Sequence, residues 1–200
     1  MDDNSDARHA ELGPVVKKVA ALNLGYFAIE FAVALAIGSV ALFADSVDFL
    51  EDAAVNILIV FGLGWSVKRR AKLGMVLAGI ILVPAIATLL TAWQNFNAAH
   101  VPDAVSLSLT GAGALAVNFT CAMMLARVRD HGGSLSRAAF LSARNDVFAN
   151  IAIIVAGALT ASTGSHWPDL VTGIGIAAMN ADAAAEVFEA ARQEHAESRA

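Results

Sequence analysis

The chemistry of this chain is concentrated in two short strings, ADSVDFLEDAAVN at residues 44–56 and SARNDVFAN at residues 142–150. In the first, Asp48 and Asp52 are four residues apart, and Asn56 follows after four more. In the second, Ser142, Asp146 and Asn150 repeat that spacing. Residues four apart share one face of a helix, so each string presents a stripe of oxygen donors. Both stripes run into aliphatic segments, ILIVFG and IAIIVAG. Two carboxylates one turn apart in poorly solvated surroundings repel if both are ionised; either one holds a proton or a cation sits between them. With Asp146 facing Asp48 and Asp52 across a helix interface, three oxygen donors converge, which is the chemistry of a divalent-cation site. The competing reading is a hydrogen-bonded carboxyl cluster that only joins helices. Glu51 projects away from the Asp48–Asp52 face, and Asp45 lies near the outer mouth, as a helix cap, a first-turn residue or a ligand. The shared Asp-x-x-x-Asn pattern is either a faint internal repeat or convergent composition.

Such a cluster needs apolar walls, and the composition supplies them. Of 200 residues, 58% are hydrophobic and only 16% charged, against about a quarter charged in soluble domains; the mean hydropathy is +0.63. The apolar residues recur in blocks of bilayer-spanning length, which predicts an all-α integral membrane protein with six transmembrane helices. The expected spans are 19–37, 45–66, 73–93, 106–126, 138–160 and 167–188. The loops GSVALFA, NAAHVPDA and STGSHW contain no Lys or Arg, whereas KRRAK and RVRDHGGSLSR on the other side are basic. Basic loops stay in the cytoplasm, so both termini are expected there, and of the 13 basic residues only Arg144 breaks the pattern. A polar segment 1–16, a six-helix domain 17–190 and a short tail 191–200 follow from these boundaries.

The remaining features have structural readings. Trp65, Trp93 and Trp167 fall near span ends, where amphipathic rings sit. Pro84 is expected to kink the third span. Gly111, Gly113, Gly173 and Gly175 read as close-packing positions. The single cysteine, Cys121, excludes an intramolecular disulfide and reads as a small buried hydrophobe. A net charge of −5, with no basic patch carrying aromatics, excludes a nucleic-acid binder. No cleavable leader is recognised in the first 14 residues, and no catalytic triad, nucleophilic cysteine or HExxH motif is present. Ionisable residues inside a bilayer are functional candidates by default: Glu30, Asp45, Asp48, Glu51, Asp52, Arg144, Asp146 and, near a helix end, Asp182.

Taken in order, these segments resemble the membrane domain of the cation diffusion facilitator family, the zinc-transporter-like metal/proton antiporters. The resemblance is carried by NLGYFAIEFAVALAIGSVALFADSVDFLEDAAVN, by GALAVN ending in Asn118, by RAAFLSARNDVFANIAIIVAG, and by WPDLVTGIGIAAM with Asp169 in the family's Asp position. It implies a transporter, not an enzyme, that exports a divalent cation (Zn, Mn, Fe, Co or Cd) in exchange for protons. It also implies a homodimer, a multi-pass location in a bacterial cytoplasmic membrane, and no organic cofactor. The implied metal ligands are Asp48, Asp52 and Asp146, with Ser142 where the family commonly has His. Loss of that imidazole leans toward harder ions such as Mn²⁺ or Fe²⁺, although zinc held by carboxylates and water stays open. Asn23, Asn56, Asn118 and Asn150 either orient ligands or join helices. Arg144 either pairs with Glu30 or Asp45 or takes the cation's place and leaves an inert, non-transporting adaptor. The family's C-terminal cytoplasmic domain has no counterpart after the sixth span, so regulation through it is not expected and any dimer would be held by the membrane domain.

Overall fold

The structure, a computed structural model, describes residues 3–62, 76, 86–128 and 133–179. These residues are helical between short turns, with no strand among them. The helices are α1 (Asp3–Ile37), α2 (Val40–Gly62), α3 (described over 86–98), α4 (Ala104–Ala126), α5 (Gly133–Thr163) and α6 (described over 167–179). Trp65, Pro84 and Asp182, with most of the expected third span and the end of the sixth, lie outside the described residues.

Three of the described helical stretches, Leu12–Ile37, Ala104–Ala126 and Ser142–Thr163, are long and apolar enough to cross a membrane. The 23-residue α2 has the length, but it carries all four carboxylates of the opening string. Outward faces are apolar: Leu35 is 61% exposed and Leu109 69%. Side chains of this kind favour a hydrocarbon environment over water. Trp93 and Trp167 are also exposed, and Trp167 meets Phe96 edge to face at 6.3 Å, joining α3 to α6.

The start of α2 departs from the sequence expectation. GSVALFA reads as a loop, yet only Gly38 and Ser39 form the turn and the helix begins at Val40. Gly38 adopts φ +64°, a left-handed conformation open to glycine at little cost. Its carbonyl accepts from Asn95 Nδ2 at 2.6 Å. Ser39 then caps the helix, its Oγ accepting from Leu42 N at 3.1 Å. A second cap comes from another helix. Asp169 of α6 accepts from Ser39 Oγ (2.5 Å), Val40 N (2.8 Å) and Ala41 N (3.2 Å). The carboxylate thus meets orphan amides at the positive end of a helix dipole. Asp45 therefore has no capping role; it lies on the second turn of α2 and is completely buried. The α4 start is capped more simply, by Asp103, whose carboxylate accepts from Ser106 N at 2.8 Å; hydrogen bonding from the Ser106 hydroxyl, and then from this amide, holds it below its ordinary pKa.

Replacing Asp169 by Ala leaves three buried donors without acceptors. The expected loss is about 1–3 kcal/mol of stability, read as a fall of several degrees in the melting temperature of the detergent-solubilised protein. Asp169→Asn should recover part of that loss.

The packing encloses a polar layer between two apolar clusters. One gathers Leu12, Val16, Val19, Ile59, Cys121, Leu125 and Ala143; the other gathers Ala34, Ala41–Ala44, Leu107, Ile153 and Ile176. Glycines bring helices close at three of the four expected places. A Cβ on Gly173 would lie 2.5 Å from the Val40 carbonyl carbon, one on Gly111 would meet Ile153, and Gly113 makes room for the Tyr26 hydroxyl. Gly175 differs: nothing lies within 4 Å of an added Cβ, so it makes no close contact.

Candidate metal centre

The polar layer is built first on the seam between α1 and α2. The buried stripe of α1 runs through Leu12, Val16, Val19, Asn23, Glu30 and Ala34, a three-and-four spacing that points one helical face inward. Asn23 and Glu30 are seven residues apart, as are Asp45 and Asp52 on α2. The helices run antiparallel, so Asn23 meets Asp52 at one end and Glu30 meets Asp45 at the other. Tyr26 and Phe49 pack at a tilt between the two levels, with ring centroids 5.0 Å apart. Seven residues is two turns, which separates the levels by about 10 Å.

At the first level Asp52 is the hub. Its Oδ2 accepts from Asn23 Nδ2 at 3.4 Å and its Oδ1 from Ser142 Oγ at 3.0 Å. Its carboxyl group also meets that of Asp146 within hydrogen-bonding reach. Asp48 faces the same region, close enough for its charge to act on Asp146 and Asp52, but no hydrogen bond ties it to them. Asp52 is only 6% exposed, whereas Asp48 and Asp146 are partly exposed and Ser142 more so. Ser142, Asp146 and Asp52 are thus brought together, with Asp48 beside them. Among the described residues no three carboxylate, imidazole or thiol groups are drawn into a closed shell around one point.

Behind the hub, Asn23 Oδ1 accepts from Cys121 Sγ at 3.4 Å. The cysteine is the buried small side chain expected, and it also braces the asparagine. At the second level Asn150 Nδ2 donates to Asp45 Oδ2 at 2.6 Å, while Asn150 Oδ1 accepts from Asn118 Nδ2 at 3.0 Å. Three of the four asparagines therefore join helices. Asn56 does not: its Nδ2 donates to the Asp52 carbonyl one turn back, at 2.7 Å. The matched Asn56 and Asn150 of the two similar strings do different work, so the likeness does not extend to their contacts.

Arg144 corrects the expected ion pair. Glu30 and Asp45 are completely buried, and both Glu30 oxygens lack a donor. Arg144 is exposed, and its Nη2 donates to Asn145 Oδ1 at 3.5 Å. The position about 200° around α5 from Asp146 turns it outward. Glu51 is partly buried, as Asp48 and Asp146 are, and its charge reaches both of them. Asn23 is among the asparagines expected from sequence to orient ligands or join helices, and it reaches Asp52 across the α1–α2 seam; that particular pairing, and the brace that Cys121 gives Asn23 from behind, were not read from the sequence. The available signal was the seven-residue interval of Asn23 and Glu30, equal to that of Asp45 and Asp52.

Comparison with protein families decides the class. The model of the cation efflux transmembrane domain matches residues 16–194. The chain belongs to the cation efflux family. That membership makes the cation efflux protein a membrane transporter of metal cations, and it agrees with helices suited to a bilayer. No match is found among curated proteins.

Proposed function

We propose that this cation efflux protein exports a divalent transition-metal ion from the cytoplasm in exchange for protons, binding it between α2 and α5. The observation that carries the reading is the meeting of Asp52 with Ser142 and Asp146 beside Asp48, in a layer walled by apolar side chains. Carboxylates bind a metal only when deprotonated, so protons and cation compete for the same oxygens. Asn23 and Ser142 hold Asp52 through its two oxygens and fix the direction of its free lone pairs. Six spans with cytoplasmic termini, each presenting the layer to one side at a time, turn that competition into exchange. A donor set of carboxylates and a hydroxyl favours Mn²⁺ or Fe²⁺ over ions that seek imidazole, with Zn²⁺ the ion implied by family resemblance. A second copy of the chain, packed through the membrane domain, completes the proposed assembly. The exposed position of Arg144 favours this reading over an inert adaptor, since that cation does not neutralise the carboxylates.

Flux of Mn²⁺, Fe²⁺, Zn²⁺, Co²⁺ and Cd²⁺ into proteoliposomes under an imposed pH gradient tests it. Uptake of at least one ion that collapses with the gradient is expected. Equal uptake with and without the gradient, or none for any ion, overturns the proposal.

A further inference from the structure

The second level of the polar layer has a use that the metal site leaves untouched. Glu30 and Asp45 are both 0% exposed, and their carboxyl groups face each other across the α1–α2 seam. Neither Glu30 oxygen has a donor, and neither does Asp45 Oδ1; only Asp45 Oδ2 is satisfied, by Asn150. Asn118 donates to Asn150 Oδ1, which fixes the orientation of the amide and turns its Nδ2 toward Asp45. Two ionised carboxylates in such a place would repel without relief, whereas one proton between them makes a strong O–H···O⁻ bond. A metal shell needs four or more donors, and only three donor-free oxygens are present here. A proton needs two.

We propose that Glu30 and Asp45 form a proton-binding pair, separate from the metal ligands, that holds one proton and releases it when a divalent cation enters the neighbouring site. Asn150 stabilises the negative form of Asp45, so the proton resides on Glu30 and its O–H donates to Asp45. The titratable groups facing the pair are Tyr26 from α1, Asp48 from α2 and Asp146 from α5. Asn118 from α4 is neutral, and Tyr26 is engaged, donating to the Thr110 carbonyl at 2.6 Å. Asp48, less than one turn from Asp45, and Asp146 belong to the metal site, and through them the pair is connected electrostatically to Asp52, about two turns away. When a cation brings two positive charges there, the Glu30 O–H bond breaks, the proton leaves to water, and the pair becomes dianionic beside the new positive charge. The release step rests on the transport reading; the proton pair does not.

Infrared spectra of the full chain in lipid nanodiscs test the pair directly. Metal-free protein at neutral pH should show protonated-carboxyl carbonyl absorption, one component of which is lost in Glu30→Gln and shifted in Asp45→Asn. Glu30→Gln keeps the shape of the protonated acid, and its amide can donate to Asp45, so it should fold. Should it not, the Asp45→Asn shift decides. A band unchanged in either folded variant overturns the pair. Titration with Mn²⁺ and with Zn²⁺ in weak buffer then counts protons: wild type should release one more per cation bound than Glu30→Gln. Equal counts overturn the release. If neither ion binds wild-type protein, the transport reading fails while the infrared band still decides the pair.

Discussion

Asp52→Ala should abolish gradient-driven cation uptake while leaving the protein folded. Asp52 is the group on which Asn23, Ser142 and Asp146 converge. Loss of a supporting group outside a metal shell typically costs 10–100-fold in affinity or activity, so loss of the hub should exceed about 100-fold. The side chain removed is a buried carboxyl whose partners are polar groups able to pair with water in the space left behind. The fold should therefore survive better than flux. Proteoliposome flux beside melting temperature separates the two, and residual uptake above a tenth of wild type would show that the cation does not depend on this carboxylate.

The second large effect is expected at position 142. Ser142→His places an imidazole beside Asp52, where the hydroxyl now donates at 3.0 Å. Nitrogen ligands favour Zn²⁺ over Mn²⁺. One ligand exchanged from oxygen to nitrogen should move the Zn-to-Mn uptake ratio by about tenfold, which corresponds to about 1.4 kcal/mol. The exposure of Ser142 gives the larger side chain room on the outer edge of the site. A ratio unchanged from wild type, in protein that still transports, would place residue 142 outside the coordination shell.

Much of this site is legible in the sequence because helical spacing is rigid. Asp48 with Asp52, and Ser142 with Asp146, needed only the 3.6-residue turn and the cost of charge in apolar surroundings to be read as two facing stripes. Across the seam, spacing is less informative, since it does not say which residue of one helix meets which of another. Asn23 and Asp52 come together through the antiparallel register of α1 and α2, a tertiary fact visible only in the equal intervals on the two strings. Arg144 shows the opposite failure. Its charge suggested a partner among the buried acids, but the angle around α5 places it outside. Asp45 was misplaced because the apolar residues 40–44, VALFA, read as part of a loop, form the start of α2. Asp169, more than a hundred residues away, supplies the cap, and no local signal announces it.

The two apolar clusters have a consequence for leakage. A polar layer that binds protons and touches both aqueous phases would short-circuit the membrane, and each charge crossing dissipates about 2.3 kcal/mol per 100 mV. Leu12, Val16, Val19 and Leu125 at one end, with Leu42, Phe43, Leu107 and Ile153 at the other, offer no hydrogen-bonding group to a file of water. In the proposed exchange they serve as insulation, so that a proton would pass only when the helices carry it.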